Sequence, residues 1–350
     1  MNRDCIVPCG YMGSGSSAVT DLLREYEHVI CPQGAYEYIF LHCPGGVFDL
    51  EDKLLRGNSA IRSDEALRVF RETMAALYRN EHWWFGGYEA KISKRFMEMV
   101  DAFIADITTC AYEGFWYEHQ KISKARSSIA RFARGVGLAS RSLERIHGDE
   151  MRLSFPTEYD FHAAANAFLQ NVINEISREE RGRGMVLLDQ LFLPHNLYRA
   201  DNYLDEARFI VVQRDPRDVF LSNKYVWAKT GNPVPLPFDV EVFCECYSKM
   251  RQAVPSYDSP NIKEIWFEDL ILDYDSTVEE LEGFLGGGIG KHAKAKCFLK
   301  PEESACNIGI YAGPEKQWRK EAEVIAAKLG PYLYQGSINE PSNIQRGSIF

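Results

Sequence analysis

No stretch of the sequence approaches the roughly 18 consecutive apolar residues needed to cross a bilayer. Its start has no cationic-then-apolar leader, because Asp4 interrupts it, so a cytoplasmic protein is expected. The 9 cysteines contain no CxxC spacing, which argues for reduced, mostly buried thiols rather than a metal site or a disulfide framework. A basic surplus is also missing. Lys and Arg number 40 against 50 Asp and Glu, a formal charge of −10, which argues against a general nucleic-acid binder. No internal repeat is visible. One further absence is local: the glycine-rich turn at Gly10–Gly15 is followed by Ser16 and Ser17, where a nucleotide-hydrolysing P-loop has lysine.

What is present is a phosphate-binding pattern. A short apolar run, Cys5 to Cys9, leads into Gly10-Tyr11-Met12-Gly13-Ser14-Gly15-Ser16-Ser17 and then a helical run from Ala18 to Tyr26. Glycines let the backbone approach an anion, and the first-turn N–H groups and helix dipole face it. Further apolar runs at Met185–Leu188, Arg208–Val212 and Ile262–Phe267, with Val29–Cys31 as a fifth, read as buried strands followed by helices. The fold class predicted is therefore α/β, with a central, mainly parallel sheet flanked by helices. Ligands then bind at the carboxyl ends of the strands.

From about 49 to 181 the pattern changes. Asp64–Tyr78, Ser93–Cys110 and Phe161–Ser177 carry apolar residues at helical spacing, which predicts a long helical insertion in a single domain over 1–338, with a polar tail at 339–350. The Trp83-Trp84-Phe85 cluster in it reads as core or as a sugar platform. Lys121, Lys124, Arg126, Arg131, Arg134, Arg141 and Arg145 face the single acid Glu144, either as a solvated helix face or as a surface for an anionic substrate.

A second phosphate segment follows the strand at Arg208–Val212. Arg214 ends that strand, Asp215 and Pro216 suit a helix cap and first helical position, and Ser222 lies about two turns on. A guanidinium there offers a phosphate fork, while a salt-bridged cap is the plainer reading. Trp266-Phe267-Glu268-Asp269-Leu270, Phe284-Leu285-Gly286, and Leu187-Leu188-Asp189 with Pro194 and Asn196 complete the set. With these motifs in the family's order along the chain, across residues 6 to 286, the sequence resembles sulfotransferases of bacterial type that use 3′-phosphoadenosine 5′-phosphosulfate (PAPS), which have a P-loop-like fold.

That resemblance implies roles. Gly13, Ser14, Gly15, Ser16 and Ser17 would hold the 5′-phosphosulfate, Arg214 and Ser222 the 3′-phosphate, and Phe267 would border the adenine. Gly34-Ala35-Tyr36-Glu37 is similar to a segment whose glutamate serves as base in some members, so Glu37 is the expected base and His42 the alternate. His119, His147, His162 and His195 have no such context. No metal is implied, and the acceptor expected is a carbohydrate or other small polyhydroxyl compound. The chain departs from the pattern at Gly13, where members carry a cation. Lys91, Lys94, Arg126 or Arg134 could supply the charge, and Lys316 or Arg319 could serve the loop between Asn307 and Trp318. Two other readings stand beside this one: a P-loop kinase or NTPase, and a nucleotide- or carbohydrate-binding protein with impaired catalysis.

Overall fold

The computed structural model describes residues 4–337 apart from 35, 80–85, 115–127, 130–131, 133–134, 138–148, 179–183, 205 and 232–233. The Trp83-Trp84-Phe85 cluster, the basic residues from Lys121 to Arg145, His119, His147 and the tail at 339–350 lie outside the described residues. Contacts divide the chain into two compact units: Met1–Ile39 with Ser177–Phe350, and Phe40–Ile176.

The first unit is built on five parallel strands. They are β1 (Cys5–Gly10), β2 (Val29–Ile30), β5 (Met185–Leu187), β6 (Ala207–Gln213) and β7 (Ile262–Trp266), with β3 (Cys110–Gly114) and β4 (Asp149–Leu153) belonging to the other unit. The sheet order is β2-β5-β1-β6-β7. The central strand β1 is buried along its whole length, as a two-faced parallel strand must be. Its register with β6 runs from Cys5↔Ala207 to Gly10↔Val212. Pairing with β5 ends at Ile6↔Leu187. Beyond it Pro8 brings no N–H to the ladder; its carbonyl accepts the N–H of Gln190 at 2.9 Å instead. Each expected strand is present, with ends shifted by a residue or so.

Helix α1 (Ser16–Leu23) packs Val19, Leu22 and Leu23 against Ile6, Leu187 and Ile210. Leu270, Leu281 and Leu285, from the helices Phe267–Leu272 and Tyr274–Leu285, close the same core. A second cluster joins Val219, Phe220, Phe243, Tyr247 and Ile325 from the helices Pro216–Leu221, Val240–Gln252 and Lys316–Lys328. Burying such side chains contributes about 1.5–3 kcal/mol each.

In the second unit, long helices run over Ala60–Tyr78, Phe96–Ile107 and Glu158–Ile176, close to the three segments with helical spacing. Their core is aromatic: Phe103 stacks on Phe168 at 5.2 Å, and Phe70 meets Phe103 edge-on at 5.6 Å. The antiparallel pair β3–β4 was not anticipated; its register runs from Cys110↔Leu153 to Gly114↔Asp149. Among the described residues no helix is long and apolar enough to cross a membrane.

Candidate functional site

The turn after β1 is shaped by two glycines. Gly13 has φ 78° and Gly15 φ 83°, left-handed values that side chains with a Cβ rarely adopt. Gly15 is the cap of α1 and offers no side chain to the first-turn amides, an arrangement that suits an anion. A Cβ on Gly15 would lie 2.9 Å from the Phe267 ring, so glycine lets that ring cover the turn. Ser14 is 3% exposed and its Oγ has no hydrogen-bond partner. A Cβ on Gly10 would collide with that Oγ, so Gly10 is what allows Ser14 to tuck in. Ser16 is buried and Ser17 exposed.

Arg214 leaves the end of β6 and is buried. Its Nη1 donates to the Gly13 carbonyl at 3.1 Å, and its Nη2 donates to Ser222 Oγ at 3.1 Å and to the Asn307 carbonyl at 2.9 Å. Its Cζ lies 5.0 Å from the centre of the Phe267 ring. The Nε–H is buried with no partner. Burial lowers the Arg214 pKa, while the nearby carboxylates Asp218, Glu268 and Asp215 oppose that shift. Thus the turn after β1, the Arg214 strand end, Ser222 and the Phe267 helix meet at one end of the sheet.

The acids around Arg214 have structural work. Asp215 caps the helix Pro216–Leu221, accepting Arg217 N at 2.8 Å and holding its guanidinium. Asp218 accepts Gly309 N at 2.7 Å and Ile310 N at 2.9 Å, which ties down the segment after Asn307. Glu268 accepts Asp215 N at 2.9 Å, and its other oxygen is buried without a partner. Burial pushes Asp218 up to about 7 despite Arg214, and Glu268 up to about 7 despite the Asp215 amide.

Glu37 lies half-buried between Tyr36 and Tyr38, whose rings meet edge-on at 5.2 Å. Tyr38 N donates to the Asp189 carbonyl at 2.9 Å, which sets this segment beside the end of β5. Asp189 is buried; desolvation pushes it up to about 8, the Glu37 charge adds to the shift and the Thr20 hydroxyl opposes it. The next residue, Gln190, donates from Nε2 to Ser16 Oγ at 2.6 Å. Gln190 therefore adjoins the first turn of α1 from the β5 side, and Glu37 is close enough to Asp189 for its charge to act there.

His42, Lys91 and Lys94 belong to the second unit, as does His162, whose Nε2 pairs with Glu51 at 3.1 Å. Arg126 and Arg134 lie outside the described residues. His195 Nε2 donates to the Met250 carbonyl at 3.0 Å. Lys316 is exposed, and Arg319 donates to the Pro314 carbonyl at 3.3 Å. Two neighbours of the turn escaped the sequence: Gln190, and Arg251, whose guanidinium sits 3.9 Å from the Tyr11 ring centre. The Asn307 carbonyl begins the loop marked in the sequence between Asn307 and Trp318. Gln190 had a signal, following the acidic strand end Leu187-Leu188-Asp189.

A profile of the sulfotransferase family matches residues 6–288. No curated protein matches the chain significantly. Solved structures similar to it include the sulfotransferase domain from the curacin biosynthetic pathway, 13% identical, covering 94% of this chain and 98% of that one, with a TM-score of 0.39. A sulfotransferase from Mycobacterium tuberculosis H37Rv is 12% identical, with 94% and 74% covered and a TM-score of 0.28. Retinol dehydratase in complex with androsterone and the inactive cofactor PAP is 14% identical, with 96% and 82% covered and a TM-score of 0.29. With most of its length matched by that one profile, from the first strand through the turn after Leu285, this chain belongs to the sulfotransferase family of enzymes.

Proposed function

We propose that the protein transfers a sulfuryl group from PAPS to an acceptor hydroxyl and releases 3′-phosphoadenosine 5′-phosphate. The observation that carries this reading is the meeting of the two phosphate segments, in which Arg214 reaches the Gly13 carbonyl at 3.1 Å. The donor set fits a doubly phosphorylated nucleotide. Ser14 Oγ and Arg214 Nε are buried and unpartnered, and an anion's oxygens would satisfy both.

In this reading Ser14, Ser16, Ser17 and the first-turn amides bind the 5′ end, with Gly13 and Gly15 shaping the backbone around it. Arg214 and Ser222 bind the 3′-phosphate, and Phe267 borders the adenine. The nucleotide supplies an activated sulfuryl group and an anionic leaving group. Glu37 takes the proton as the acceptor oxygen bonds to sulfur, with His42 as the alternate base. The amides and hydroxyls of the turn hold the charge left on the 5′-phosphate as its bond to sulfur breaks. No metal enters this scheme. We read the acceptor as a carbohydrate-type or other polyhydroxyl compound, supported by the Trp83-Trp84-Phe85 cluster and the Lys121–Arg145 stretch of the sequence, and the setting as cytoplasmic.

Thermal unfolding tests the nucleotide assignment. 3′-Phosphoadenosine 5′-phosphate at a hundred times its Kd stabilises by about 2.7 kcal/mol and raises Tm, whereas ATP with magnesium leaves it unchanged. The opposite pattern would indicate a kinase or NTPase.

A further inference from the structure

Gln190 is held from two directions. Its N–H donates to the Pro8 carbonyl of β1 at 2.9 Å, and its side-chain Nε2 donates to Ser16 Oγ at 2.6 Å. It also has φ 57°, in the left-handed region that glutamine seldom enters. Strain of this kind persists where surrounding structure over-determines a residue, and it clusters at functional sites.

The hydrogen bond to Ser16 has a direction. A serine hydroxyl has one hydrogen to give and two lone pairs to receive. The Gln190 amide fills one lone pair, and among the described residues no group accepts the Ser16 hydrogen. Ser16 opens α1, whose N-terminus has no side-chain cap, so its hydroxyl lies beside first-turn amides suited to an anion. The turn has no cation of its own at Gly13, so each neutral donor counts for more.

We propose that Gln190 is a positioning residue that sets the Ser16 hydroxyl as a hydrogen-bond donor to the 5′-phosphoryl end of the nucleotide. This rests on the nucleotide reading above. The amide acts through Ser16, orienting it and excluding the alternative in which the hydroxyl donates back to the protein. A carboxylate at position 190 would reverse the bond, because it can only accept.

The test is a double-mutant cycle read by calorimetric titration with 3′-phosphoadenosine 5′-phosphate, alongside thermal unfolding of each variant. Gln190→Met keeps the volume and removes the donor; it should weaken binding about tenfold. In a Ser16→Ala background the same substitution should have no further effect. Gln190→Gly removes the strain at φ 57° along with the amide, so Tm should hold or rise while binding weakens as in Gln190→Met. A purely structural role predicts the reverse coupling, with affinity following Tm. Unaltered affinity in Gln190→Met, or a tenfold loss that persists without the Ser16 hydroxyl, overturns the role of Gln190 alone. Failure of the unmutated protein to bind the nucleotide overturns the site assignment itself.

Discussion

The guanidinium of Arg214 donates to the carbonyl of Gly13 at 3.1 Å, joining the end of β6 to the turn after β1. The residues are 201 positions apart in sequence. At Gly13 the resemblance calls for a cation; what stands there is a backbone carbonyl, which receives one from the neighbouring strand. The same guanidinium holds Ser222 and Asn307, so local order and the nucleotide contact proposed above would share one side chain.

Arg214→Ala should separate these duties. Affinity for 3′-phosphoadenosine 5′-phosphate is expected to fall roughly 10- to 100-fold, the range for hydrogen bonds to a charged group. Affinity for adenosine 5′-phosphate should change far less. Calorimetric titration of both ligands decides it; equal losses would leave Arg214 only its ties to Gly13 and Asn307.

Glu37→Gln should leave nucleotide affinity nearly intact and depress turnover about 10²–10⁴-fold, the usual contribution of a general base. Single-turnover transfer from labelled donor, with nucleotide binding measured in parallel, checks both halves. Unchanged turnover removes Glu37 from the mechanism and makes His42→Gln the next measurement.

Asp189 should make stability depend on pH. An ordinary aspartate titrates near 4, whereas burial pushes Asp189 up to about 8. The folded state therefore binds this proton more tightly than the unfolded chain does. The stabilisation is complete below about pH 4 and is lost as pH rises through about 8. Asp218 and Glu268, each raised to about 7, act in the same direction. Asp189→Asn imitates the protonated group, so its Tm relative to the unmutated protein should improve from pH 5 to pH 9. Parallel melting curves at the two pH values would contradict the assignment.

Gly15→Ala should destabilise the fold by about 1–3 kcal/mol, the range for an alanine forced into left-handed backbone. The added methyl also meets the Phe267 ring at 2.9 Å. Chemical denaturation measures the loss, and nucleotide binding should weaken with it because the ring must move. A variant as stable as its parent would mean that the turn has room to relax.

Much of the first unit was legible because its strands are apolar runs buried on two faces, and such runs carry their own signal. Gly10, Gly13 and Gly15 announced the turn, and Asp215 with Pro216 announced the helix start; the structure has Asp215 accepting Arg217 N at 2.8 Å, as a cap does. The pair β3–β4 was hidden. Cys110–Glu113 is exposed residue after residue, so no alternation marks it, and only its partner strand makes it a strand. The bond from Gln190 to Ser16 was hidden for another reason: it spans 174 residues. Asp218 carried no signal of its own, yet its oxygens hold the amides of Gly309 and Ile310.

The amino-acid order alone determined the α/β character, the family pattern, the glycine turn after β1 and the capped helix after β6, because helix caps, glycine turns and apolar strand runs are local properties of the chain. Tertiary structure decided which groups meet: that Arg214 serves Gly13 and Asn307 together, that Phe267 covers Gly15, and that Gln190 holds Ser16. Those pairings depend on strand order and register, which bring the carboxyl ends of β5, β1 and β6 side by side. Register is a property of partners, and no single strand carries it.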